Sequence, residues 1–299
     1  MQFVTLPQFS KMLYIGSKRI IENKKKIDAI NVFPVADSDT GANLSNTFLG
    51  IKKILETRIS DSGQGRMTMD AIIESAFEKS RGNSGIMMAS YLKGFLTFLK
   101  EKDKFFLQDF AKAAKAGEES ARSSVEKPVR GTMLDVMETF SESLLVKKEN
   151  ISIVDFFYLA TAKVKTALIK TQKKLKVLRA NHVVDAGALG FTFFVFGLYE
   201  GLSNTELELS GIDFKPFHNR EIGIGKFPHE VIFTIQNSIL SIRQIREVFN
   251  PLGDSLDIAE LEKKVKIHIH TDKLDVVREM ALLTGKIIDI KIVDMRKPK

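Results

Sequence analysis

The sequence predicts two architectures in one chain: an all-α, eight-helix antiparallel bundle, followed by a small α/β domain. Three observations predict this. Apolar residues recur at helical spacing from about residue 8 to residue 203. No strand-like alternation occurs before residue 220. After Gly201 the composition changes, and alternating apolar runs appear between glycines and prolines. The expected organisation is a helical domain at 1–205, a linker at 206–226 and an α/β domain at 227–299.

The first helix runs from residue 8 to about 26 and turns Phe9, Met12, Leu13, Ile20 and Ile21 inward. Pro34 keeps any helix from running through the next loop. The second runs from about Gly41 to Thr57, with Leu44, Phe48, Ile51 and Leu55 on one stripe. A polar turn, Ser60 to Gly65, ends it. The third, about 69–80, buries Met69, Ile72, Ile73, Ala76 and Phe77. A Gly-rich loop, Ser80 to Gly85, leads into an apolar fourth helix carrying Tyr91, Leu92, Phe95, Leu96 and Leu99. Further helices are expected at 106–123, 131–146, 152–177 and 186–203. In the α/β part, His229–Gln236 alternates as a strand and Ile239–Phe249 reads as a helix. Val265–His270 is a strand, Lys273–Leu283 a helix closed by Gly285, and Ile287–Val293 a last strand.

With 44 % apolar and 27 % charged residues in 299, the composition is that of a globular protein with a substantial core. The absence of cysteine excludes disulfides and thiolate catalysis. The start lacks the basic and apolar regions of a signal peptide, and the most apolar stretch, Phe191–Tyr199, is too short to span a bilayer. The expected location is the cytoplasm, with no transmembrane segment. The net charge of +8 is spread along the chain, with small clusters at Lys24–Lys26 and Lys173–Lys174. No basic stripe with interleaved aromatics occurs, so no nucleic-acid partner is expected. The excess can steer an anionic ligand.

The chemistry concentrates in Asn31-Val-Phe-Pro-Val-Ala-Asp-Ser-Asp-Thr-Gly-Ala-Asn43. In an extended loop residues i and i+2 face the same side, so Asp37 and Asp39 can face one site. Thr40-Gly41 then opens a helix whose first N–H groups are free and whose end is partly positive. Carboxylates suit Mg²⁺ and bare amides suit phosphate. The same pattern also makes an ordinary capped loop, and both readings stand on this segment alone. Gly82-Asn83-Ser84-Gly85 is either an anion-binding loop or a plain helix–helix turn. Before the sixth helix, Lys127 and Arg130 could neutralise phosphate and Thr132 could touch a ligand or cap the helix. Before the eighth, Asp185-Ala-Gly187 offers a cap and small residues that admit a planar ring. These four segments precede the second, fourth, sixth and eighth helices. In an up-down bundle such starts collect at one end, so the loops are expected to converge on one rim.

The 31–43 segment resembles the signature of the bacterial fatty-acid kinase ATP-binding subunit. That protein carries a domain of the dihydroxyacetone-kinase nucleotide-binding (DhaL-like) family. Arg81-Gly-Asn-Ser-Gly85, Lys127-Pro-Val-Arg-Gly-Thr132 and Val184-Asp-Ala-Gly187 are similar to its later motifs in order and spacing. Leu252-Gly-Asp-Ser-Leu256, Val265–Thr271 and Asp289–Arg296 extend the resemblance through the α/β part. It implies an eight-helix barrel binding Mg-ATP at one rim, with Asp37 and Asp39 holding two Mg²⁺ ions. Asn31 stands nearest to the family's third, upstream carboxylate. Thr40, Gly41, Ala42, Asn43, Ser84 and Gly85 match the phosphate loops; Thr132, Met133, Asp185, Ala186 and Gly187 match the nucleoside side. Ala36 and Ser38 depart from the usual Pro and Gly, and the 299 residues stop where the family's third, C-terminal domain would begin, which is expected of a truncated or a short form.

The function so implied is phosphoryl transfer from ATP to a fatty-acid carboxylate presented by an acyl-binding partner protein, giving an acyl phosphate, by a chain that forms homodimers. A carboxylate is already a nucleophile, so no general base is needed. The alternatives are a nucleotide-binding regulator without turnover and a kinase subunit of the dihydroxyacetone type. His268 and His270 alternate on one strand and, with His229 on a neighbour, could bind a second metal. Half-buried strand histidines or a partner-binding patch explain them better, because the family's full site takes a further ligand, often a cysteine, and the chain has none.

Overall fold

The structure, a computed structural model, describes residues 2–60, 69–145, 151–210 and 226–296. The polar turn after residue 60 and most of the expected linker, 211–225, lie outside the described residues.

What the sequence reads as one first helix is two, α1 (Leu6–Glu22) and α2 (Lys24–Ala29). The break falls at Asn23, whose side-chain amide donates to Arg19 O at 2.8 Å and competes with the helical backbone. α3 (Thr40–Ser60), α4 (Met69–Lys79), α5 (Gly82–Leu99), α6 (Leu107–Ser124), α7 (Met133–Leu144) and α8 (Ile153–Lys174) follow the expected order. A short extra helix, α9 (Lys176–Ala180), precedes α10 (Ala186–Ser203). One expectation fails: β1 (Phe3–Thr5) and β2 (Lys104–Phe106) pair antiparallel well before residue 220. Three residues are too few to show a period-two pattern.

The bundle closes around α10, buried from Ala186 to Leu202. Phe191 on α10 meets Tyr91 of α5 edge-on at 4.9 Å and Phe140 of α7 at 6.0 Å, while Phe194 meets Phe48 of α3 at 5.3 Å. By length and composition α10 alone among the described residues could cross a membrane, but 83 % of it is covered by the bundle. A helix apolar on all sides is here a core helix.

The second part is a four-stranded antiparallel sheet, with β3 (His229–Gln236), β4 (Asp254–Leu261), β5 (Lys264–Thr271) and β6 (Lys286–Asp294) in the order β4-β5-β3-β6. α11 (Ile242–Phe249) and α12 (Leu274–Thr284) cover one face, where Val231, Phe233, Ile267 and Ile269 pack with Ile245, Phe249, Val277 and Ala281. Alternation puts Asp257, Ala259, Lys266, His268 and His270 on the opposite face. That face docks on the bundle. Ala259 packs against Phe77 of α4 and Ile86 of α5, and Lys266 Nζ donates to Phe77 O (2.5 Å), Glu78 O (2.9 Å) and Ser80 O (3.3 Å). Val125, just past α6, bridges Asp257 of β4, and Arg246 of α11 pairs with Glu126 at 2.9 Å.

Candidate functional site

The starts of α3, α5, α7 and α10 meet at one end of the bundle, as the connection order predicts. Together with the bundle-facing end of β4 and β5 they enclose a cavity of about 300 Å³. Asp37, Asp39, Thr40, Asn43, Ser84, Thr132, Met133, Asp185 and Gly187 all line it. Gly41, Ala42, Gly85 and Ala186 stand in the adjoining first turns of the same helices.

Asp37 and Asp39 are half-buried on either side of Ser38, which takes φ +57°. A left-handed serine costs about 1 kcal/mol, which the surrounding loop must hold. The loop is held from behind. Asn31 donates to Val35 O at 2.6 Å, and its oxygen accepts from both the N–H and the hydroxyl of Thr40. A carboxamide oxygen has two lone pairs. Asn31, the expected further metal ligand, lines the cavity, and its bonds to Val35 and Thr40 brace the loop that carries Asp37 and Asp39. A carboxylate stands behind the same loop, Asp28 on α2, whose Oδ1 accepts from Ala42 N–H at 3.1 Å. Burial raises the Asp28 pKa against its hydrogen bonds from the Ala42 and Gly41 amides, and the charge of Asp39 raises it further. Gly41 is required by this packing, since a Cβ there would lie 2.3 Å from Lys24 O.

At α5, Gly82 takes φ +57°, and a Cβ would fall 2.3 Å from the Asn43 amide nitrogen. Glycine thus lets the start of α5 sit against the start of α3. At α7, Gly131 (φ +89°) donates to Asp135 Oδ2 at 2.9 Å, and the Thr132 hydroxyl donates to Val129 O at 2.8 Å. Lys127 lines the cavity, but Arg130 does not: it pairs with Glu138 and, at 3.4 Å, with Asp135 on the outer side of α7. The expectation that Arg130 neutralises phosphate is thereby corrected. At α10, Asp185 caps the helix by accepting from Ala188 N–H at 2.7 Å. Burial pushes its carboxyl up to about 7, although the Ala188 and Met133 amides favour its charged form.

The opposite wall comes from the sheet. Glu230, Asp254, Asp257 and His270 line the cavity there. One ligand atom each from Glu230, His268 and His270 falls within 4.8 Å of the others. His229, the expected third member, pairs with Thr271 and points to the other face; Glu230, opposite His270, takes that place. His268 contacts Ser255 O at 2.9 Å and Glu230 Oε1 at 3.2 Å. Burial opposes its charge, yet the Glu230 hydrogen bond and the Glu230 and Asp257 charges hold its pKa above the ordinary value. Burial pushes Asp257 up to about 7, and among the described residues its Oδ2 makes no hydrogen bond.

Sequence reasoning missed Asp28, Glu230, Asp254, Asp257 and Lys266. The one available signal was alternation, since Lys266 shares a strand face with His268 and His270.

A profile of the DAK2 domain matches residues 34–200, more than half of the chain. The chain belongs to the DAK2 domain family. A second profile, that of the FakA-like middle domain of fatty acid kinase, matches residues 226–299. The loops of α3, α5, α7 and α10 thus lie in the DAK2 domain or at its edge, and the facing wall in the middle-domain match. Among curated relatives, the Mycoplasma genitalium protein MG369 is 31 % identical over 99 % of this chain and 57 % of its own length. Bacillus subtilis protein YloV is 27 % identical over 97 % of this chain and 55 % of its own. The chain spans just over half the length of these relatives. Among solved structures, the dihydroxyacetone kinase from C. freundii in complex with AMP-PNP and Mg²⁺ superposes with a TM-score of 0.50 at 16 % identity. It covers 67 % of this chain and 35 % of its own, a likeness of fold.

Proposed function

We propose that this chain is the ATP-binding part of a phosphotransferase whose acceptor is the carboxylate of a fatty acid, presented by a separate acyl-binding protein. The observation that carries this reading is the meeting of Asp37 and Asp39 with four helix starts on one cavity. The chemistry of the donor set fits: clustered carboxylate oxygens suit hard cations, and helix starts suit phosphate. Asp37 and Asp39 would hold Mg²⁺, with Asp28 behind them. The starts of α3 and α5, Thr40 to Asn43 with Ser84 and Gly85, would take the phosphates; since the N–H groups of Thr40, Ala42, Asn43 and Gly85 are already donated within the protein, the side chains of Asn43 and Ser84, which line the cavity, would orient them. Thr132, Met133 and Asp185 to Gly187 would take the nucleoside. Magnesium, when bound, supplies positive charge against the phosphates. The fatty-acid kinase profile over the α/β domain favours this acceptor over a sugar.

In the same reading, Glu230, Asp254, Asp257 and His270 would line the acceptor end of the cavity, with His268 buried behind them. The oxygen of Glu230 and the nitrogens of His268 and His270 also suit a zinc-class ion, which Zn²⁺ equilibrium dialysis with wild type and His270→Ala would read.

Calorimetry of Mg-ATP binding to wild type and Asp37→Ala/Asp39→Ala tests the main reading. We expect at least a tenfold loss, about 1.4 kcal/mol. Unchanged affinity would overturn it. Mg-ATP binding with no phosphoryl transfer to any acyl-loaded partner would leave a nucleotide-binding regulator.

A further inference from the structure

Lys266 is 2 % exposed, and its ammonium donates to three backbone carbonyls across the domain interface. Two belong to the last turn of α4, where helix carbonyls have no intrahelical donor; the third, Ser80 O, lies just past it. A buried ammonium is costly unless fully hydrogen-bonded, so this contact is a built feature of the fold. Its position gives it a second consequence. Ser80 and Arg81 alone separate α4 from Gly82, where α5 and the candidate phosphate loop begin. Ser80 is itself tied down, its N–H to Ala76 O at 3.0 Å and its hydroxyl to Phe77 O at 2.8 Å. Whatever fixes the end of α4 therefore fixes Gly82 to Ser84. The sheet also grips a second cavity loop, where Glu126 N–H donates to Leu256 O at 3.3 Å and Val125 bridges Asp257.

We propose that Lys266 is a positioning residue for the nucleotide phosphates: by capping α4 from the α/β domain it sets the Gly82–Ser84 loop, so that phosphate binding and docking of the two domains are one coupled event. The proposal rests on the nucleotide reading of the cavity. Coupling is reciprocal, so Mg-ATP tightens the docking as docking tightens Mg-ATP.

The test uses the whole chain as wild type, Lys266→Met, Lys266→Arg and Lys264→Ala. Lys264 pairs with Glu74 at 3.0 Å in the same interface without touching the α4 carbonyls, so it serves as the control. Mg-ATP affinity is read by calorimetry, AMP affinity by ligand-observed NMR, and loop order by amide exchange over residues 80–85. Lys266→Met is expected to weaken Mg-ATP at least about fivefold and AMP less than about twofold, and to speed loop exchange about tenfold. Lys266→Arg is expected to restore most of the ATP affinity, and Lys264→Ala, which loosens docking without releasing the α4 carbonyls, to weaken Mg-ATP less than Lys266→Met does. Should Lys266→Met lack a cooperative melt, Lys266→Gln, which keeps a donor, replaces it with the same expectation at a smaller fold-change. Equal losses for ATP and AMP, or no change in either, overturn the proposal while leaving the cavity a nucleotide site. A wild type that binds neither nucleotide overturns the functional reading and this one with it.

Discussion

The two walls of the cavity are made differently. The bundle wall is set by backbone: first turns of four helices, a positive-φ glycine at Gly82, and loops braced by Asn31 and Asp28 hold Asp37, Asp39, Asn43 and Ser84 in place. The sheet wall is side chain: Glu230, Asp257 and His270 lie on one face, with His268 buried behind them. A wall set by backbone holds helix starts and their side chains at fixed places and suits a ligand of fixed charge such as polyphosphate. A side-chain wall presents groups whose charge follows their burial, and suits the step where charge changes hands.

Each wall nevertheless holds one buried acid raised to about 7, Asp185 on the bundle and Asp257 on the sheet. A carboxyl whose folded pKa lies above its unfolded value adds stability at low pH. That contribution is full below about pH 4 and is lost as pH rises through about 7. Each acid is therefore expected to contribute about 4 kcal/mol at most to the loss of stability on alkalinisation, of which roughly 2–3 kcal/mol falls between about pH 5 and pH 8. Urea denaturation at those two pH values reads that part. Asp185→Asn and Asp257→Asn should each flatten the slope, and an unchanged slope in either breaks the symmetry of the walls. Next in size is Gly82→Ala, with strain at φ +57° and a Cβ 2.3 Å from Asn43. It should cost about 1–3 kcal/mol in denaturant titration and weaken Mg-ATP, as a backbone-built wall requires. Asn31→Ala should cost about 1–2 kcal/mol by the same measurement, together with a severalfold loss of Mg-ATP affinity. Loss of stability with ATP affinity intact would mean that the brace does not serve Asp37 and Asp39.

The same contrast explains what was legible in the sequence. Helix starts announce themselves locally through Asp-x-Asp-Thr-Gly, Gly-Asn-Ser-Gly and Asp-Ala-Gly, and the connection order was enough to bring them together. The break at Asn23 was not legible, because its cause is one side chain turning back on Arg19 O. Nor were the roles of Asn31 and Asp28, which both reach the first turn of α3, Asn31 at Thr40 and Asp28 at Ala42. The sheet wall showed its alternation but not its target. His229 and Glu230 are adjacent in sequence, and only the register of β3 on β5 decides which faces His268 and His270. Lys266 was illegible for a further reason: its partners are carbonyls of another domain, and carbonyls leave no trace in residue identity.

Diffraction from crystals grown with AMP-PNP and Mn²⁺ in place of Mg²⁺ puts the central claim to the most direct test, because manganese scatters anomalously. The account predicts anomalous peaks between the Asp37 and Asp39 carboxylates and the triphosphate, with the purine toward Met133 and Gly187. Peaks elsewhere, with both carboxylates free of metal and the nucleotide outside this cavity, would contradict it.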